Sequence, residues 1–208
     1  MNSATPSQPD GRTRLLDAAL QVIRTQGYSA TTVDDICREA GLTKGAFFHH
    51  FRSKQDLAVE AAAHFSAMAE TLFGSAPYRA LTDPLDRFLA YIDFRSAIID
   101  GPLPQFTCLL GTMVQETYET HPAIRKACDT YIGVHVAGLV EDIEAAKALY
   151  APGATWSAQS LALHTQAVLQ GAFVLAKAKG GPEVARACVS HLRRYIACLF
   201  QRPPSKKE

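Results

Sequence analysis

Apolar residues recur along most of this chain at spacings of three and four, and no stretch alternates apolar and polar residues with period two for long. The first spacing gathers side chains on one face of a 3.6-residue helix, while the missing alternation leaves a strand no face to bury. An all-α fold is therefore expected. The 208 residues suffice for one large domain or two small ones, with a proper hydrophobic core. There is no internal repeat of fixed period.

Cap and break signals divide this pattern into nine helices. The first runs from about Arg12 to Gln26, with Leu15, Leu16, Ala19, Leu20 and Ile23 on one face and Gly27 as its stop. Thr32, with Asp35 three residues on, forms a capping box for a second helix that turns Ile36 and Ala40 inward. Gly41-Leu42 breaks the chain, Thr43 caps a short third helix to about His49, and Ser53 caps a long fourth one from Lys54 to about Phe73. A loop over 74–83 leads to Asp83-Pro84, cap and first position of the fifth helix, which ends near Asp100-Gly101. GPLPQF reads as a linker. The sixth helix ends near His121-Pro122, the seventh reaches about Tyr150, the eighth spans about Trp156–Lys179, and the ninth runs from Pro182 to about Phe200.

Whole-chain charge is uninformative: 21 Lys and Arg against 20 Asp and Glu means that any nucleic-acid contact must come from a local patch. The opening MNSATPSQPD has no apolar segment of the secretory kind, and no run approaches the roughly 18 apolar residues of a membrane span. Five cysteines in no disulfide-like framework suit a reducing cytosol, so a cytoplasmic protein with no membrane partner is expected.

The stretch GLTKGAFFHHF, residues 41–51, is unusual for a short helix, because Gly45 sacrifices roughly 1 kcal/mol of helix propensity relative to Ala. Two short helices joined by a glycine-containing turn and steadied by a preceding helix match the helix-turn-helix motif. Ile36, Ala40, Leu42, Phe47 and Phe51 supply the interior wedge; Thr43, Lys44, Gly45, Phe48 and His49 are left facing outward. A recognition helix offers its N-terminal residues to the major groove, and a glycine there lets the backbone lie close to base edges or sugar-phosphate. Thr32, Thr43 and the helix N-termini offer hydroxyl and amide donors to phosphates, and Lys44 and Lys54 add charge. Residues 10–56 hold seven basic and six acidic side chains, but the acids fall mainly on the second helix while Lys44, Arg52 and Lys54 cluster around the third.

Residues 12–60, RTRLLDAALQVIRTQGYSATTVDDICREAGLTKGAFFHHFRSKQDLAVE, resemble the N-terminal domain of the TetR family of transcriptional repressors nearly continuously. The resemblance implies an N-terminal three-helix, helix-turn-helix DNA-binding domain over 11–56 and a C-terminal helical ligand-binding and dimerisation domain over 57–201. A disordered segment (1–10) and a frayed tail (202–208) would flank them. It implies a homodimer, double-stranded operator DNA and a small-molecule effector as partners, and no cofactor or metal. By the motif, Thr32, Thr43, Lys44, Gly45, Phe48, His49 and Lys54 would sit at the DNA. Many relatives have Tyr where this chain has Phe48; without the hydroxyl its role is apolar, against a thymine methyl, or packing alone.

Beyond about residue 75 the resemblance weakens to length and helix count. The ninth helix carries an apolar stripe at Val184, Cys188, Leu192, Tyr195 and Leu199. The eighth carries Leu161, Val168, Leu169, Ala172, Phe173 and Ala176, with Gly171 allowing close approach. Such wide apolar faces fit the four-helix dimer bundle that the family implies, or burial within one chain. Effector candidates are Tyr91, Phe94, Cys108, Met113, Gln115, Tyr118, His135 and Trp156. FTCLLGTMVQE resembles TetR-family members with a cysteine at the start of the sixth helix, some of which sense electrophiles or oxidants. Cys108 lies in the first helical turn if Thr107 is the cap, and deeper if the helix starts at Pro104. A sensing thiol and an inert core thiol both remain open. Catalysis is not expected: the seven histidines form no HExxH, there is no CxxC pair, and there is no glycine-rich phosphate loop. The rival is an adaptor using the same lobe for protein contact.

Overall fold

A computed structural model describes residues 10–201, and the expected N-terminal segment 1–10 and tail 202–208 lie, but for Asp10, outside them. Ten α-helices follow one another: α1 Gly11–Gln26, α2 Val33–Ala40, α3 Lys44–His50, α4 Lys54–Gly74, α5 Pro84–Ala97, α6 Leu103–Phe106, α7 Leu109–Thr117, α8 Pro122–Tyr150, α9 Ala158–Lys179 and α10 Glu183–Leu199. No strand occurs among the described residues, and no helix among them is long and apolar enough to cross a membrane.

The caps are those the local sequence specifies. Asp10 accepts from Thr13 N at 2.8 Å, Thr43 from Ala46 N at 3.2 Å, and Ser53 from Asp56 N at 3.0 Å. Thr32 and Asp35 complete the reciprocal capping box of α2. Gly41 ends α2 in the left-handed region at φ 62°, a conformation that costs any residue with a Cβ. Two differences concern the linkers. The loop after α4 contains a 3₁₀ turn at Pro77–Ala80, and GPLPQF holds the single helical turn α6; in both, prolines preset the helical φ.

The described residues form two compact units, which are divided differently from the functional domains expected from the sequence. One comprises the residues up to Phe65 together with Leu109–Cys128; the other comprises Ser66–Cys108 and the residues from Asp129 onward. The unexpected member of the first unit is α7. Its Glu116 accepts backbone N–H groups from Tyr28 and Ser29 at 3.3 and 2.7 Å, and His121 meets the Tyr28 ring edge-on at 5.2 Å. Gly27, at φ 87°, makes room for that carboxylate: a Cβ there would lie 2.3 Å from a Glu116 oxygen. The core of this unit includes Leu15, Ile23, Ile36, Phe47, Phe51 and Leu57, all nearly inaccessible to solvent.

In the second unit α10 packs on α9 and α5. Phe88, Ile92, Leu169, Phe173, Leu192 and Ile196 belong to one continuous core. The buried stripe of α10 is Ala185, Val189, Leu192 and Ile196, rotated from the expected Val184–Cys188–Tyr195–Leu199 line. Three ion pairs tie the unit: Arg87 to the buried Asp142 at 2.7 Å and, nearer the surface, Arg186 to Asp100 at 2.6 Å and Arg193 to Asp93 at 2.6 Å.

Candidate nucleic-acid interface and buried aromatic cluster

The α2–turn–α3 element is held from behind. Arg14 of α1 donates to the carbonyls of Ala40 and Gly41 at 2.6 and 3.3 Å, fixing the turn between the two helices. Phe47 is fully buried and contacts Phe51 at a ring separation of 5.8 Å, so one face of α3 is anchored. The opposite face is open: Thr43, Lys44, Gly45, Phe48 and His49 are all exposed, Phe48 at 58%. A large aromatic exposed to this extent leaves most of its apolar surface in water. Phe48 meets Phe47 edge-on at 5.1 Å, so its ring is steadied while its outer face stays free.

Gly45 is not required by its own fold. A Cβ there would meet only the Thr43 hydroxyl, at 3.7 Å, an ordinary contact. The fold thus has room for Ala here, whose higher helix propensity is forgone. Lys44 pairs with Asp34 at 2.8 Å across two exposed side chains, and this carboxylate raises the lysine's pKa. The pair is solvated, so the ammonium is readily exchanged between carboxylate and phosphate.

Two expected contact residues are placed differently. Lys54 turns into its own unit, donating to the carbonyls of Tyr28 and Thr31 at 2.9 and 2.7 Å, with its ammonium 4.3 Å from the Tyr28 ring centroid. Burial lowers its pKa, with Glu116 opposing. Lys54 thus belongs to the clasp that closes the α1–α2 turn and offers little charge outward. Thr32 is exposed, but its hydroxyl is engaged with Asp35 at 2.7 Å; the Thr32 hydroxyl and N–H in turn hold the Asp35 carboxyl far below the usual range. Thr32 shapes the start of α2 more directly than it offers a donor.

The effector candidates separate. Met113, Gln115 and Tyr118 belong to the first unit, where Met113 is core, Gln115 donates to Gly111 O of its own helix at 2.7 Å, and Tyr118 is 54% exposed. Trp156 packs edge-on against Phe200 at 5.3 Å beneath the Lys147 ammonium, sealing a helix end. Cys108 lies between α6 and α7 and is half-buried; Thr107 ends α6, so neither expected helix start applies. Cys198 is the exposed cysteine, and Cys37 is buried with its thiol pushed up by desolvation.

Tyr91, Phe94 and His135 do come together. The Tyr91 hydroxyl and His135 Nε2 are 2.8 Å apart, and Phe73 packs against both rings and against Phe94. Burial, reinforced by Arg95 and Arg79, drives His135 down to about 3, so the imidazole is neutral. Burial pushes Tyr91 up to about 12. The sequence reading missed the cluster's cations and Tyr78. Arg95 lies 5.1 Å from the Phe73 centroid and 5.7 Å from that of Phe173, while Arg79 lies over Tyr78 at 5.2 Å. One signal was available: Arg95 stands four residues after Tyr91, a charge on the apolar face of α5.

Residues 15–61 match the family model described as bacterial regulatory proteins, tetR family. The uncharacterized HTH-type transcriptional regulator YxaF of Bacillus subtilis is 27% identical over 123 residues, covering 59% of this chain and 64% of that protein. The HTH-type transcriptional repressor KstR2 of Mycolicibacterium smegmatis is 41% identical over 71 residues, 34% of this chain and 33% of the relative. The crystal structure of reduced E. coli NemR superposes with a TM-score of 0.75 at 21% identity, covering 89% of this chain and 96% of that one, and shows the same fold. The match to YxaF thus spans just under two thirds of that relative's length. The N-terminal segment over residues 15–61 thus matches the tetR family of bacterial regulatory proteins, and the chain as a whole shares the all-helical fold of NemR.

Proposed function

We propose that the protein is a homodimeric transcriptional repressor that binds a palindromic DNA operator through α3 and is released by a small-molecule effector held in its C-terminal unit. The observation that carries the DNA reading is the outward face of α3. There a solvent-exposed phenylalanine, a solvated lysine and a glycine that the fold does not require lie together at the helix start. Thr43, Lys44, Gly45, Phe48 and His49 are the contact residues; Phe48 supplies an apolar surface of the kind that meets a thymine methyl. The KstR2 relative, named a repressor, aligns over 71 residues at 41% identity, which favours repression.

Dimerisation is supported by an apolar surface on the last two helices. Leu163, Val174 and Leu175 of α9 and Tyr195 of α10 are 44–50% exposed, with the Tyr195 ring tilted against His164 at 5.1 Å. A second copy would cover this surface and set two α3 helices for half-sites roughly 34–36 Å apart or a multiple of that. The trigger is non-covalent in this reading. Modification of Cys108 is the alternative trigger, and Cys198 is the more accessible thiol.

Fluorescence anisotropy against palindromes selected from a DNA library, at two salt concentrations, tests the proposal. Sequence-selective binding should weaken steeply with salt, and Lys44→Ala should reduce the slope of log K against log salt by about one. Binding without sequence selectivity would favour the adaptor reading. Loss of DNA binding on electrophile treatment that Cys108→Ser abolishes would move the trigger to the thiol.

A further inference from the structure

Four buried side-chain polar atoms lack a hydrogen-bond partner among the described residues: Tyr78 Oη, Arg95 Nε, Gln166 Oε1 and Gln170 Nε2. All four belong to the C-terminal unit, and three of them are donors. Tyr78 is only 5% exposed, and the polar group beside its hydroxyl is the Arg79 guanidinium, itself a donor, so the Tyr78 O–H has no acceptor among the described residues. Arg95 has two aromatic neighbours, Phe73 and Phe173, and no carboxylate partner among the described residues. Its neighbour Arg79 spends one donor on Phe73 O at 3.3 Å and likewise has no acid there. The acid on the α8 side, Asp142, is engaged with Arg87 at 2.7 Å. Gln166, Gln170 and Phe173 fall on one face of α9, the face that Arg95 reaches. The site therefore has excess positive charge, unmet donors and aromatic walls. A buried donor without an acceptor is costly, more so when charged.

We propose that this cluster binds a small aryl carboxylate, its carboxylate taken by Arg95 and Tyr78 beside Arg79 and its ring lying against Phe73 and Phe94. A carboxylate supplies the paired acceptors that a guanidinium fork matches, and an aromatic ring meets the surrounding ring faces and edges. The neutral Tyr91–His135 pair, satisfied internally at 2.8 Å, adds no competing charge. The inference rests on the effector reading and names the class of ligand.

Isothermal titration calorimetry on the full chain tests it, with benzoate, phenylacetate and 2-naphthoate each paired with its neutral amide. At least one acid should bind about tenfold or more tightly than its amide, the scale of one charge-assisted contact. Arg95→Gln should bring that acid down to the affinity of its amide. Tyr78→Phe, which keeps the ring and hence the packing, should weaken the acid several-fold without changing the circular dichroism spectrum. No acid-over-amide preference anywhere in the series, or acid affinity unmoved by both substitutions, would overturn the site. The same acids are added to the operator complex. An acid that binds without releasing DNA sinks the effector reading and leaves the site standing; release by other compounds, with no preference for acids, does the reverse.

Discussion

The two units of this molecule treat their polar groups in opposite ways. In the N-terminal unit the polar groups close on one another: half-buried Lys54 on two carbonyls and Arg14 on the α2–α3 turn, and at the surface Glu116 on two backbone N–H groups and Thr32 on Asp35. Its open chemistry is on the surface of α3. In the C-terminal unit, four buried polar atoms lack partners among the described residues, and a guanidinium stands between aromatic rings without an acid. The first unit is chemically complete before any partner arrives. The second holds buried donors without acceptors among the described residues, which the proposed carboxylate would meet.

Substitutions can break or sharpen that contrast. The largest effect should come from the anchor of α3. Phe47→Ala removes a fully buried ring and should lower unfolding free energy by about 3–5 kcal/mol in chemical denaturation, abolishing DNA binding with it. Lys54→Met keeps the aliphatic stem but leaves the Tyr28 and Thr31 carbonyls without their donor; a loss of about 1.5–3 kcal/mol in the same assay is expected. Equal stability of this variant and the parent would show that the clasp is not needed.

The pH response belongs to the C-terminal unit. His135 is held neutral in the folded chain down to about pH 3, whereas in the unfolded chain it gains a proton near its ordinary 6.5. Below that value the unfolded state binds the extra proton, so stability is intact above about pH 6.5 and falls with decreasing pH. The slope attributable to His135 is about 1.4 kcal/mol per pH unit between roughly 6.5 and 3. Thermal melts at pH 7.5, 6.5 and 5.5 should show it, and His135→Gln should flatten it.

Gly45→Ala separates folding from function. The added methyl has room, so stability should rise by up to about 1 kcal/mol while operator affinity drops. The smallest change is expected at Arg95→Met. Removing an unpaired guanidinium relieves its desolvation at the cost of two ring contacts, so stability should stay within about 1 kcal/mol of the parent. A large loss there would mean that Arg95 is structural, erasing the distinction from Lys54.

The all-helical class, the caps at Thr32, Thr43 and Ser53, and the outward set from Thr43 to His49 were legible in the sequence, because each depends on residues within a few positions of one another. The inward turn of Lys54 was not legible: its partners are 26 and 23 residues earlier, and a lysine after a recognition helix looks the same whether it faces phosphate or carbonyl. Nor was the membership of α7 in the N-terminal unit, which depends on Glu116 reaching backbone 88 residues away. The candidate effector list shows the same limit: of its eight residues, Tyr91, Phe94 and His135 share the aromatic cluster around Phe73, and spacing along the chain does not reveal that grouping.

Sequence alone thus determined the long helices, the caps at Thr32, Thr43 and Ser53 and which face of α3 is open, since periodicity and capping are local properties of a chain. Tertiary structure alone decided which charges are neutralised and which are not. Arg87 finds Asp142 across 55 positions while Arg95 meets aromatic rings instead, and pairing between distant side chains is set by packing and not by spacing.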